Sequence, residues 1–363
     1  MKKLALFISV LALALCSCSS VKSSIEPQPI TSAITLAVNP KVASYWTSPT
    51  MNLEQARELA KCHLVIADME NMVNNYASLE LLKQLNPMIK LLAYSNPMEL
   101  FVPMVANRPL QKQLLNDLQS SYQKWFLKCP NGSPVIFWQG MQMLNLSSDC
   151  PLVKGQRWNQ CIAQFLLTRV LADPIWDGYF MDNSGGNISW VNDGQIDADV
   201  DGKKDDSEML DMAWSEGIAE FLTTIRQAKG KEFILVGNKG SLEFLDILNG
   251  KMFEEFPNDY LGGKEAGGWY QSMENSILTG PNSIIQAKAN GETSRQFILA
   301  SALLADGYFA YGQDMTSRFP EYQDIGQPIG IMENMPDGSW RREYEKAMVI
   351  VWPKKKEGKI IYK

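Results

Sequence analysis

The segment "DGYFMD", Asp177 to Asp182, decides the fold. It is a short apolar run closed by a carboxylate. Before it, "CIAQFLLTRVL" (Cys161–Leu171) has helical spacing, and beyond a long polar loop an amphipathic helix is predicted over about Glu208–Ala228. Seven similar runs flank this unit: "AITLAV" (Ala33–Val38), "HLVIAD" (His63–Asp68), "IKLLAYS" (Ile89–Ser95), "EFILVGN" (Glu232–Asn238), "GKMFEEF" (Gly250–Phe256), "NSIIQAKA" (Asn282–Ala289) and "DGYFAYG" (Asp306–Gly312). Helical material lies between them, at Leu53–Lys61 behind a possible Asn52 N-cap, through "SLELLKQL" to Asn86, and near Leu110–Leu127. Near-continuous apolar strands alternating with helices imply a parallel sheet buried on both faces. Eight in one unit give an α/β chain with a (β/α)8 TIM barrel over residues 33–320. An open doubly wound sheet is the alternative, but no Gly-rich phosphate loop follows any run. Residues 321–363, with "GSWRREYEKAMVIVWP", read as a short C-terminal β extension.

The chain has 363 residues, 45% of them hydrophobic. Lys and Arg number 34 against 40 Asp and Glu, a net charge of −6. Such a chain has no general attraction for nucleic acid, so no nucleic-acid partner is expected. Its ten Trp, twelve Tyr and fourteen Phe exclude disorder and suit a site that stacks on sugar rings. The single histidine, His63, removes His-rich metal centres, Ser-His-Asp triads and Cys-His dyads unless it serves alone. Catalysis must then rest on carboxylates, amides, Tyr and Lys.

In such a barrel the chemistry sits at the C-terminal ends of the strands. Two carboxylates across a cleft suffice for glycosidic cleavage: one protonates the leaving oxygen, the other attacks the anomeric carbon or activates water. Asp182 and one of Glu254 or Glu255 form the best pair. Adjacent strand residues face opposite ways, so only one of the two glutamates can point inward. Asp68, Tyr94, Asn183, Asn238, Gln286 and Tyr311 close or lie in the other runs and are candidate substrate contacts. Trp46 and Trp269 are candidate sugar platforms.

"WDGYFMDN" followed by "GKMFEEF" resembles the (β/α)8 glycoside hydrolases around the polygalactosaminidase-type and hypothetical glycosyl hydrolase families. Members carry a D-G-hydrophobic-F-hydrophobic-D-[NT] fourth strand and a sixth strand ending in an acidic residue before an aromatic. "GSWRREYEKAMVIVWP" is similar to the segment that follows such barrels. The resemblance spans roughly Ala33 to Pro353. It implies Asp182 as one catalytic carboxylate and Glu254 as the other, with Glu255 next door as a departure.

"DADVDGKKDDSE", Asp197 to Glu208, resembles an EF-hand calcium loop in spacing and length. Asp197, Asp199, Asp201, Asp205 and Glu208 stand at positions 1, 3, 5, 9 and 12. Gly202 at position 6 permits the bend, and Lys203 at 7 would give only its carbonyl. One structural Ca²⁺ is therefore expected, holding the loop directly after Asp182.

Lys2 and Lys3 precede an apolar run, Leu4–Leu15, too short to span a bilayer comfortably. "LALALCSCSS" resembles a bacterial lipoprotein signal over residues 1–18, which implies lipidation of Cys18. Residues 19–32 then read as a tether. The expected place is the cell envelope, outer membrane rather than inner, as a monomer touching the membrane only through its lipid. Export permits disulfides among Cys62, Cys129, Cys150 and Cys161. Cys129–Cys150, bracketing one insertion, is the first choice, with Cys150–Cys161 in competition. The expected function is hydrolysis of an oligo- or polysaccharide. The alternative is a non-catalytic, surface glycan-binding lipoprotein on the same barrel.

Overall fold

A computed structural model describes residue 34 and residues 36–101, 107–138, 140–257, 265–287, 292–311 and 323–363. The leader, the Cys18 site and the tether lie outside the described residues, as does the expected boundary near residue 320. No helix among the described residues is long and apolar enough to cross a membrane.

The chain opens with β1 (Ala43–Trp46), α1 (Leu53–Leu59), β2 (Leu64–Asp68), α2 (Asn71–Asn74), α3 (Tyr76–Leu85) and β3 (Lys90–Ser95). An insertion carries the antiparallel pair β4 (Glu99–Phe101) and β5 (Met141–Met143), with α4 (Pro109–Leu118) between them. Then come α5 (Trp158–Phe165), β6 (Gly178–Met181), α6 (Ser207–Lys229), β7 (Ile234–Asn238), β8 (Gly250–Phe253), α7 (Trp269–Thr279), β9 (Ile284–Ala287), α8 (Glu292–Leu304) and β10 (Tyr308–Tyr311). Four antiparallel strands end the chain: β11 (Glu333–Asn334), β12 (Trp340–Glu343), β13 (Ala347–Trp352) and β14 (Glu357–Tyr362).

Eight strands pair in parallel in the order β1-β2-β3-β6-β7-β8-β9-β10. A parallel bridge between Val42 and Phe309 joins the ends, and the Phe309 N–H donates to the Lys41 carbonyl at 2.9 Å. The sheet is thus a (β/α)8 barrel. Its interior is filled by Ala43, Tyr45, Leu64, Ile66, Leu92, Phe180, Ile234, Val236, Met252, Ile284 and Ala310. A Cβ on Gly178 would meet the Ile234 carbonyl at 2.3 Å and Leu92 at 2.4 Å, so only glycine admits this strand spacing.

The first strand corrects the sequence reading. It is Ala43–Trp46, not Ala33–Val38. Val38 is exposed, and the Val38 and Asn39 N–H groups both donate to Asp324 instead of a neighbouring strand. The helices follow the expected signals. Asn52 and Gln55 form a reciprocal capping box on α1. Asp206 caps α6, whose buried stripe runs Leu210, Ala213, Trp214, Gly217, Ile218, Phe221. Between β7 and β8 there is only a turn-rich connection. The expected disulfides are absent: all four described cysteines are free. Cys129 accepts a hydrogen bond from Asn192, while Cys150 is buried against the Pro151 carbonyl.

Asp177, which opens "DGYFMD", works at the N-terminal end of the barrel. Its carboxylate accepts from the Leu91 N–H at 2.8 Å and from Lys83, pinning α3 and β3 to β6. Asp182, five residues on, is carried to the opposite rim.

Candidate active site

The inward phase of each strand sets what reaches that rim. Residues 64 and 66, 92, 180, 234 and 236, and 252 face the interior. The same parity then turns Asp68, Tyr94, Asp182, Asn238 and Glu254 toward the barrel axis. Tyr45, Tyr94 and Phe180 pack together beneath them, with ring centroids 5.4–6.0 Å apart.

Asp182 accepts three hydrogen bonds from neutral donors: the Tyr94 hydroxyl at 2.7 Å, the Asn238 amide at 2.9 Å and the Asn183 N–H at 2.9 Å. The same Asn238 nitrogen donates to Glu254 at 2.9 Å. Two oxygens each 2.9 Å from one nitrogen lie no more than 5.8 Å apart, so the two carboxylates face each other across one amide. Burial and the nearby Asp182 charge hold the Tyr94 phenol well above its ordinary value. Tyr45 is raised too, by burial and then by Asp182 and Glu254. Both phenols stay protonated, and Tyr94 is the donor to Asp182.

Glu254, Asn238, Asn183, Lys239 and Trp190 line a cleft of about 570 Å³. Glu254 is therefore the inward member of its pair. Glu255 sits in the following turn, exposed, with a left-handed backbone at φ 56°, and is not among the cleft residues. Its candidacy as the second catalytic carboxylate is corrected on this ground. Trp46 is corrected as well. Its phase is outward, it is 7% exposed within the layer between barrel and helices, and its indole N–H donates to the Thr50 carbonyl. Trp269 is likewise buried, donating to Ser301.

Asp68 is buried and paired with Arg108 at 3.1 Å, beside a smaller cavity of about 90 Å³ shared with Tyr94 and Asn96. Gln286 is buried on β9. Tyr311 ends β10, and its side chain lies outside the described residues. Sequence reasoning missed Glu99, which begins β4. The residue is 4% exposed, and its carboxyl accepts from Asn96 at 2.6 Å, the Trp138 backbone N–H at 3.2 Å and Asn183 at 3.5 Å. Burial pushes it up to about 7. The available signal was its place three residues after Asn96, at the end of the third run.

In the acidic loop, Asp197, Asp199 and Asp205 bring one oxygen each within 4.8 Å of one another. All are hard oxygen donors of the kind Ca²⁺ takes. Asp201 and Glu208 lie outside this trio. Asp201 pairs with Lys203 at 2.9 Å, and Glu208 opens α6.

Opposed carboxylates at the C-terminal rim of a parallel barrel define a glycoside hydrolase-like class of protein. The chain belongs to hypothetical glycosyl hydrolase family 15, whose sequence model matches residues 83–348. No curated protein matches it. Among solved structures, it is similar to a noncanonic maltogenic alpha-amylase, AmyB, from Thermotoga neapolitana. That match has 8% identity and a TM-score of 0.47, over 86% of this chain and 85% of that one. It is also similar to the chitinase domain of the spore coat protein CotE from Clostridium difficile, at 14% identity and a TM-score of 0.27, over 89% and 79%. At these scores neither bears on substrate.

Proposed function

We propose that the chain hydrolyses a glycosidic bond of an oligo- or polysaccharide with retention of configuration. Asp182 is the nucleophile and Glu254 the acid/base. One observation carries this reading: the Asn238 amide bonded to both carboxylates, which holds one oxygen of each within 5.8 Å of the other. Retaining pairs stand about 5–5.5 Å apart, whereas inverting pairs leave roughly 6.5–9.5 Å for a water. Glu254 lines the open cleft, where a leaving oxygen can reach it, while Asp182 is held by three donors below. In the first step an Asp182 oxygen bonds the anomeric carbon as Glu254 gives its proton to the departing oxygen. In the second, Glu254 takes a proton from the water that displaces Asp182.

The test is a glycan hydrolysis screen of wild type against Asp182→Asn and Glu254→Gln. Each variant is expected to lose about 10²–10⁴-fold in kcat/KM, and NMR of the fresh product should show the retained anomer. Activity unchanged in Asp182→Asn would overturn the assignment, and an inverted anomer would overturn retention. Sugar binding without hydrolysis of any substrate would instead favour the glycan-binding alternative.

We also propose one structural Ca²⁺ on the Asp197–Glu208 loop, supported by the Asp197, Asp199 and Asp205 trio. From the leader sequence alone, we infer a place at the cell envelope, anchored through lipid on Cys18.

A further inference from the structure

Two large aromatic rings stand in solvent beside the cleft. Trp138 is 59% exposed and Trp190 57%. Water does not favour such rings on a surface, so a pair held out deliberately marks a contact surface. Phe137 lies edge-on between them, its ring centroid 5.5 Å from Trp138 and 5.2 Å from Trp190. The two indoles are therefore no more than 10.7 Å apart, a span that one glycan chain of a few sugars can cover.

The backbone that carries each ring is held in place. The Trp138 backbone N–H donates to Glu99, whose other oxygen accepts from Asn183 beside Asp182, and the Trp138 ring itself rests against Phe137. The loop carrying Trp190 is pinned by Asp211 of α6, which accepts from the Ile188 and Ser189 N–H groups at 2.7 and 2.8 Å. The Trp190 indole N–H is already used by the Asn187 carbonyl, so the ring faces are what it offers a ligand. Trp190 also lines the cleft that Glu254 lines. The surface is thus continuous with the candidate active site.

We propose that Trp138 and Trp190 form an aromatic platform that stacks the sugar rings of a glycan chain extending out of the cleft. This rests on the glycan reading of that cleft. The platform makes the site one for chains of several sugars, with affinity that grows as a chain lengthens past the cleft. Flat apolar C–H faces of pyranose rings match pre-fixed indoles, and fixing the rings beforehand spares their ordering on binding.

The experiment uses the full chain carrying Asp182→Asn, so that binding is read without turnover. The probes are soluble ladders of two to about eight sugars: α-1,4-glucan, β-1,4-linked N-acetylglucosamine and α-1,4-linked galactosamine. Calorimetry gives Kd along each ladder, and circular dichroism checks folding. In one ladder, longer members should bind more tightly than the shortest. Trp138→Ala should erase about ten-fold of that gain while leaving the shortest member unchanged, and Trp190→Ala, whose ring also lines the cleft, should weaken the longer members by about ten-fold more than the shortest. The Phe replacements should keep most of the gain. Affinity independent of length in every ladder, or a gain that survives both Ala substitutions, overturns the platform. So does a dimer, seen by light scattering, that the double Ala variant dissociates. Failure of hydrolysis is a separate outcome: a wild type that cleaves no ladder but binds long chains through the two tryptophans keeps the platform and loses the reaction.

Discussion

Lys251 is fully buried on β8, facing away from the barrel axis into the surrounding layer. Its ammonium nitrogen has no hydrogen-bond partner and lies 5.9 Å from the centre of the Phe244 ring. Burial pulls the lysine down to about 7; Glu243 opposes this and Lys239 adds to it. The folded protein therefore holds fewer protons than the unfolded chain between about pH 7 and 10.5. Stability should rise with pH across that window and sit at its lowered level below it. Lys251→Met keeps the stem and removes the charge. It is expected to add on the order of 1–4 kcal/mol at pH 7 and to flatten the rise toward alkaline pH. Urea melts at pH 7 and pH 9 read both effects. Equal slopes in wild type and variant would mean that the ammonium is hydrated. The same physics raises Glu99, but there a ring of donors uses the carboxyl to tie the insertion to the rim.

The acidic loop is the element where charge has the most to gain from a ligand. Asp197, Asp199 and Asp205 hold three oxygens close together with only backbone N–H groups facing the first and last. A bound Ca²⁺ would stabilise the folded state by mass action, about 2.7 kcal/mol at a hundred times its Kd. Thermal unfolding in millimolar Ca²⁺ should therefore run higher than in chelator, and Asp197→Asn should abolish the difference. Identical melting in the two buffers would remove the ion from the loop. The loop also shows what was legible at this scale. Spacing alone pointed to Asp197, Asp199 and Asp205 as neighbours, but not to Asp201 turning to Lys203. The strands teach the same lesson. "DGYF" occurs twice, at Asp177 and at Asp306. In β6, Phe180 faces the barrel interior and Tyr179 the helices, whereas in β10 Phe309 faces outward and Tyr308 inward. One tetrapeptide serves in both phases, because a strand buried on two faces has no polar side to fix its phase. Trp46 was misread because the strand that carries it, Ala43–Trp46, was placed at Ala33–Val38 instead. Asp182 and Glu254 could be found because a carboxylate closing an apolar run has only the rim to go to. Glu99, Trp138 and Trp190 sit on irregular insertions, where no period marks a direction.

At the scale of the whole molecule, the described chain from residue 34 onward gathers into one compact unit. The C-terminal sheet belongs to the barrel's own packing. Tyr344, Ala347, Val349 and Val351 share a buried cluster with Phe297, Leu299 and Leu303 of α8 and with Phe253 and Ile285 of the barrel strands. The Tyr344 hydroxyl donates to the Leu303 carbonyl at 2.6 Å, and Arg342 joins the sheet to Asp306 at 2.7 Å, just before β10. The tail thus covers a wall of the barrel, and the name extension understates it. If the sheet were an independent appendage, a chain ending at Gln323 would melt where the full chain does. The shared cluster predicts otherwise: that truncation should lose the cooperative transition of the barrel itself. Tyr344→Ala should lower the stability of the single transition by about 3 kcal/mol or more, the usual effect of deleting a buried aromatic. Calorimetry on both chains decides it, since a truncated barrel with an unchanged melting temperature would show that the two sheets fold apart.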